Sequence, residues 1–200
     1  MTEQASLERV GVAGAGFMGS GIAESAARAG ARVLVFEPSQ APLDRSRDAI
    51  TTSVARAVKG GKLTEQEGKA LQSRIDWTTD PKALSDSTLV IEAVVENEQV
   101  KRELFTTLDA ILLPEAIIAS NTSSIPIAQL AAVTGRPDRV LGLHFFSPVP
   151  VMKLVEIVVA LDTSEASVDA RRRSSRGSGS CPCARRTAPA SSSTCCWSRT

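Results

Sequence analysis

Val10-Gly11-Val12-Ala13-Gly14-Ala15-Gly16-Phe17-Met18-Gly19 is the stretch that decides the fold. A short apolar strand runs straight into three glycines at Gly-x-Gly-x-x-Gly spacing, and residues 22–28 continue as an Ala-rich, helix-compatible run that Gly30 stops. Residues 31–36 return to strand pattern and end beside Glu37, 23 residues beyond Gly14. Strand, glycine turn, helix, strand and acid in this order specify a dinucleotide-binding unit, where the same glycines elsewhere would be only a tight turn. Gly14 permits the turn, Gly16 lets the backbone approach a pyrophosphate, and Gly19 allows close packing of helix on strand. The helix N-terminus adds oriented N–H groups and a positive dipole. Cofactor binding is therefore expected along Gly14, Ala15, Gly16, Phe17, Met18 and Gly19. Glu37 can accept hydrogen bonds from the adenosine ribose and would repel a 2′-phosphate, so NAD is favoured over its phosphorylated analogue. A solvated strand-end acid is the other reading of Glu37.

Outward from this unit, residues 39–59 and 64–74 read as two helices, divided by Lys59-Gly60-Gly61-Lys62 and restarted by the capping-box pattern Thr64-Glu65-Gln66-Glu67. Apolar runs at 88–94, 116–120, 140–144 and 154–160 read as strands, with a helix over 98–112 and a shorter one after Pro126. Strands alternating with helices give an α/β class: a Rossmann-type, doubly wound, mostly parallel sheet covered on both faces. The site is expected in the crevice at the carboxyl ends of the strands, where Gly14, Glu37, Glu96, Asn121 and His144 all fall.

The chain has 200 residues, of which 42% are hydrophobic, enough for one ordinary domain with a remnant. Met1-Thr2-Glu3-Gln4 opens without a basic and apolar leader, and no apolar run approaches the about 18 residues a membrane span needs, so a cytoplasmic protein is expected. The net charge of +1 hides a split: residues 171–200 hold seven Arg and no acid, leaving 16 basic against 22 acidic side chains before them. All four cysteines, Cys181, Cys183, Cys195 and Cys196, also lie beyond residue 170, which excludes a disulfide framework in the body.

The sole histidine, His144, lies in Leu143-His144-Phe145-Phe146-Ser147-Pro148, and Glu156 follows twelve residues later on the next strand. An imidazole can take a proton from an alcohol, and a carboxylate on its other nitrogen would fix the tautomer and stabilise the imidazolium. A lone histidine among apolar residues is also commonly a packing residue. Ala119-Ser120-Asn121-Thr122-Ser123-Ser124-Ile125-Pro126 is a polar loop that by itself could be only a helix cap, and Glu96 with Lys101 could be an ordinary charged helix start.

Taken together, residues 12–23, Ile91-Glu92-Ala93-Val94-Val95-Glu96-Asn97, residues 119–124 and residues 142–156 resemble the 3-hydroxyacyl-CoA dehydrogenase family, particularly its bacterial 3-hydroxybutyryl-CoA members. The resemblance covers residues 7–169. It implies that His144 abstracts the 3-hydroxyl proton while C3 gives hydride to the nicotinamide of NAD, that Glu156 orients and balances the imidazole, and that the product is a 3-oxoacyl-CoA. It places Ser123 beside both nicotinamide and thioester, and Glu96, Lys101 and Ser147 among the cofactor contacts. Ser147 stands where many members carry Asn. Ser53 matches a CoA-contacting serine, with Lys59 and Lys62 near the CoA phosphates. Another hydroxyacid dehydrogenase would place a catalytic Lys where this chain has His144, and a non-catalytic dinucleotide-binding relative remains the third reading.

Beyond Asp169-Ala170 the resemblance stops and the chain becomes rich in Arg, Ser, Cys and Pro with no apolar period. The domains expected are therefore 1–165, an NAD-binding unit carrying the His/Glu pair, and 166–200, a disordered extension. Ser191-Ser192-Ser193-Thr194-Cys195-Cys196-Trp197-Ser198 can be encoded by TCG TCG TCA ACC TGC TGC TGG TCC, whose neighbouring frame reads Val-Val-Asn-Leu-Leu-Leu-Val. The family continues with a similar Phe-Val-Val-Asn-Arg-Leu-Leu-Val-Pro segment, so a frameshift near residues 160–171 is expected, with Thr194 in the register of the family's substrate-proximal Asn. The resemblance implies that the missing helical domain closes the cleft and forms a homodimer interface, so the present chain would bind NAD yet turn over acyl-CoA poorly. A basic extension for nucleic acid or membrane is the rival reading, weakened by the lack of aromatics or amphipathic period.

Overall fold

Short runs of Val and Ile, buried on both faces, build a single sheet around β1 (Arg9–Ala13) in the computed structural model, which describes residues 8–152, 154–176 and 183–186. β1 pairs in parallel with β2 (Arg32–Phe36) on one side and β4 (Leu89–Glu92) on the other; β3 (Ile75–Thr78) extends the β2 side, and β5 (Ile117–Ser120) and β6 (Val140–Phe145) extend the β4 side, all parallel. β7 (Val155–Val159) then runs antiparallel to β6, and β8 (Cys183–Arg186) parallel to β7, giving the order β3-β2-β1-β4-β5-β6-β7-β8. The reversal at β7 follows from the link before it: the stretch from 146 to 154 is too short for a parallel crossover, so the chain returns beside β6 in the opposite direction.

Alternate strand residues feed two apolar clusters, one on each face. Val33 and Val35 join Ile22, Leu43 and Ile50 beneath α1 (Phe17–Arg28) and α2 (Gln40–Lys59). Leu34 and Phe36 join Phe105, Leu108 and Leu130 beneath α4 (Glu98–Ile111) and α5 (Ile127–Ala131). This is the doubly wound arrangement expected. The helix α3 (Glu65–Gln72) starts with the capping box read in the sequence: the Thr64 hydroxyl accepts from Glu67 N–H at 3.2 Å, and the Glu67 carboxylate accepts from Thr64 N–H at 2.7 Å.

The structure departs from expectation in two places. The helix expected to reach residue 74 ends at Gln72, and β3 follows; only Ile75 of its four residues is buried, too little pattern to read as a strand. Within the extension expected to be disordered, residues 166–176 lie in α6 (Glu165–Arg176) and Cys183–Arg186 form β8, while residues 177–182 and 187–200, where the rest of that expectation falls, lie outside the described residues. Two anchors explain the start of α6: Val168 is buried against the α1-side cluster, and Ser164 N–H and the Ser167 hydroxyl both donate to the Asp138 carbonyl at 2.9 Å. Arg171 then pairs with Glu8. Thr194, Cys181, Cys195 and Cys196 lie outside the described residues. Among those described, no helix is long and apolar enough to cross a membrane.

Candidate active site

The glycine turn joins β1 to α1 at the carboxyl end of the sheet. Gly14 adopts φ +114°, and a Cβ there would lie 2.5 Å from the Ala93 carbonyl oxygen, so both backbone shape and space require glycine. A Cβ on Gly19 would lie 1.9 Å from the Gly14 carbonyl oxygen, which is the close helix approach the spacing implied. Gly16 differs, since nothing lies within 4 Å of its Cβ position and the backbone faces open space. The first intrahelical bond runs from Ser20 N–H to Gly16 O at 2.9 Å, so the N–H groups of Phe17, Met18 and Gly19 precede it at the positive end of the dipole. Ala15 is buried and its N–H donates to Glu37 Oε2 at 3.1 Å, placing that acid at the turn. The Phe17 side chain is 75% exposed, whereas that of Met18 is half-buried against the core.

His144 and Glu156 face each other because β6 and β7 pair antiparallel with these two residues in direct register. His144 Nδ1 lies 3.1 Å from Glu156 Oε2, and Nε2 lies 3.0 Å from the Ser123 hydroxyl. A carboxylate can only accept, so Nδ1 carries the hydrogen and the Nε2 lone pair points toward Ser123 and the crevice. The edge of Phe146 packs against the imidazole at a centroid distance of 4.8 Å. Asn121 ties the neighbouring strands together, its Oδ1 accepting from Phe145 N–H at 2.9 Å. Ser147 is exposed and precedes Pro148 through a cis bond.

Behind Ser123 lies a polar network that sequence reading did not find. Glu92 ends β4 with no exposed surface and accepts from Lys101 Nζ at 2.6 Å, the Ser120 hydroxyl at 2.5 Å and Val94 N–H at 2.8 Å. Lys101 is itself 1% exposed and bridges to Glu96 Oε2 at 3.1 Å, so it sits between two carboxylates and not in the open crevice expected for a cofactor contact. Glu96 accepts from the Thr122 hydroxyl, from Ser124 Oγ at 2.9 Å and from Ser123 N–H at 3.3 Å. Burial opposes ionisation of Glu96, but hydrogen bonds from Thr122, Ser124 and Lys101, with the Lys101 charge, outweigh it and lower the pKa to about 2. An acid ending an otherwise apolar strand was the available signal for Glu92.

A cleft of about 660 Å³ opens on the other side of the glycine turn, between α1, α2 and residues 148–151. Ser53 lines it, with Arg45 and Arg56 from the same helix. Lys59, the exposed last residue of α2, lies six residues further on, about 9 Å along the axis, and Lys62 is exposed in the following turn. The glycine turn, through Ala15, Gly16 and Phe17, thus forms one wall of a largely apolar cleft that also carries Arg45, Ser53 and Arg56, while the His144–Glu156 pair stands at the sheet end.

The family described as 3-hydroxyacyl-CoA dehydrogenase, NAD binding domain, matches residues 9–185. The chain belongs to the 3-hydroxyacyl-CoA dehydrogenase family. It is 56% identical over 163 residues to a 3-hydroxybutyryl-CoA dehydrogenase of Mycobacterium tuberculosis, covering 81% of this chain and 57% of that protein. It is 43% identical over 164 residues to a 3-hydroxyadipyl-CoA dehydrogenase of Escherichia coli, covering 82% and 34% respectively. The solved (S)-3-hydroxybutyryl-CoA dehydrogenase PaaH1 of Ralstonia eutropha superposes with a TM-score of 0.88 at 40% identity, over 92% of this chain and 65% of that one. The chain therefore spans a little over half the length of the M. tuberculosis relative it matches.

As a member of this family, the chain carries its NAD-binding domain. The residues present fit that cofactor: the open face at Gly16 leaves room for a pyrophosphate, and the Phe17, Met18 and Gly19 N–H groups precede the first intrahelical bond at the same helix end. Glu37 stands at the same turn.

Proposed function

We propose that this chain is the cofactor-binding and proton-transferring part of an NAD-dependent dehydrogenase acting on 3-hydroxyacyl-CoA thioesters of the 3-hydroxybutyryl-CoA type. The observation that carries the proposal is the line Ser123 Oγ, His144 Nε2, His144 Nδ1, Glu156 Oε2, with separations of 3.0 and 3.1 Å either side of the ring. His144 Nε2 accepts the proton of the substrate's 3-hydroxyl, with Ser123 Oγ hydrogen-bonding the same oxygen as charge develops on it. Glu156 holds Nδ1–H throughout and offsets the positive charge that the ring acquires. NAD held at the glycine turn would supply the acceptor for a hydride from C3, so that with the hydroxyl proton taken by His144 Nε2 the alcohol would become a ketone. In the reverse direction the imidazolium returns its proton to the alkoxide oxygen. Glu37 favours NAD through the adenosine ribose, Glu96 and Ser147 border the nicotinamide half with Lys101 held behind Glu96, and Ser53 and Lys59 receive the CoA portion.

The proposal extends to the reading frame, which changes near residues 160–171, and the chain as given binds NAD but turns over acyl-CoA poorly. Sequencing the DNA around codon 170 tests the frame; a family-like continuation in a neighbouring frame is expected, and its absence from both would reject the shift. Incubating a frame-restored protein with NAD and 3-hydroxybutyryl-CoA tests the activity. NADH and acetoacetyl-CoA should appear together, whereas NAD binding without turnover of any 3-hydroxyacyl-CoA would favour a binding or structural role.

A further inference from the structure

We infer that Glu92 is a positioning residue for Ser123, fixing the hydroxyl against His144 Nε2 from two sides at once; the inference rests on the proton-transfer role proposed for His144. One arm runs through Ser120, whose hydroxyl donates to Glu92 Oε2 at 2.5 Å and accepts from Thr122 N–H at 3.2 Å. The other runs through Lys101, held by Glu92 Oε1 at 2.6 Å and by Glu96 Oε2 at 3.1 Å. Glu96 then gathers the Thr122 and Ser124 hydroxyls and Ser123 N–H. Both arms end on the backbone of residues 122–124, and the one side chain there that faces the imidazole is Ser123.

Glu92 touches neither His144 nor the open crevice, and with no exposed surface it cannot meet a ligand directly. Its effect must pass through the turn. The arrangement is sensitive to that one carboxylate: without it Lys101 is left with Glu96 as its remaining counter-ion, which draws Glu96 toward α4 and away from the turn it organises. A carboxylate serving only to neutralise Lys101 would not need the Ser120 arm, which carries no charge.

The chain contains one histidine, so the imidazole nitrogen-15 spectrum reports His144 alone and requires no turnover. At one mildly alkaline pH, the Nε2 resonance would be compared in the wild-type chain, Glu92→Gln, Ser120→Ala, Ser123→Ala and the Glu92→Gln/Ser123→Ala pair. Loss of the Ser123 hydrogen bond in Glu92→Gln and Ser120→Ala should move Nε2 in the direction seen for Ser123→Ala. Adding Glu92→Gln to Ser123→Ala should move it no further. An Nε2 signal left at its wild-type position in either folded single variant would overturn the inference. So would a Glu92→Gln shift that persists undiminished in the Ser123→Ala background, because that is the direct effect of a lost charge. Should Glu92→Gln fail to fold, Ser120→Ala decides the matter, since it removes one hydroxyl and no charge. Failure of the dehydrogenase assay would leave these spectra unaffected, so the two proposals fail separately.

Discussion

His144 shows how little of a residue's role lies in its identity. Its two ring nitrogens are equivalent in the sequence, and the antiparallel register of β6 and β7 makes them different by giving Nδ1 to Glu156 and Nε2 to Ser123. Replacing Glu156 by Gln keeps a hydrogen-bond acceptor but removes the charge that offsets an imidazolium. In a frame-restored protein kcat should fall by about 10²-fold or more, within the range of general acid–base contributions, with NAD affinity unchanged. Steady-state kinetics beside a cofactor titration check this, and parallel loss of both would contradict it. The glycines also separate by role. Gly19→Ala places a Cβ against the Gly14 carbonyl and should lower the melting temperature, whereas Gly16→Ala meets no protein atom and should leave it unchanged while weakening NADH binding. Thermal unfolding and NADH fluorescence, run on both variants, distinguish the outcomes.

At the scale of elements, the turn between β5 and α5 is held by an acid on the loop before α4, and that coupling carries a pH signature. The Glu96 carboxyl titrates at about 2 in the folded chain, below its ordinary value of 4.5. Ionised Glu96 therefore favours the folded state above the ordinary carboxylate range, and the benefit disappears as pH falls from about 4.5 through about 2. The stability gap between wild type and Glu96→Gln should be constant near neutrality and close in that acid window. Thermal melts as a function of pH would show it, and a gap that widened on acidification would contradict it. The strands around this turn were legible because 88–94 and 116–120 are apolar runs long enough to be buried on both faces. β3 was not legible, since four residues with one buried side chain give no period, and its place comes from pairing with β2. The Glu92 network escaped for a similar reason: Lys101 and Glu92 are charged residues whose burial depends on each other, a property of the packed pair.

For the molecule as a whole, the expectation that Gly14, Glu37 and His144 fall at strand ends follows from strand order in a doubly wound sheet, whereas Ser123 is singled out only by the family resemblance and Glu156 by its place on the next strand. The continuation after residue 165 could not be read in advance, because α6 is anchored by Val168, the Ser164 and Ser167 contacts to Asp138, and a pairing with Glu8 far away in sequence. Phe17, Val151 and Met152 remain exposed beside the glycine turn and the cleft, at 75%, 66% and 42%. The present chain should accordingly bind NADH in a fluorescence titration but oxidise 3-hydroxybutyryl-CoA at less than about a tenth of the rate of the frame-restored protein. Comparable rates would show that residues 1–170 suffice.

The most direct test of the proton-transfer role is the rate of NADH formation from 3-hydroxybutyryl-CoA by the frame-restored protein and its His144→Gln variant. If Nε2 takes the hydroxyl proton, the variant should bind NAD as the parent does and lose about 10²–10⁴-fold in kcat. A variant within about tenfold of the parent would contradict the assignment of His144 as the base.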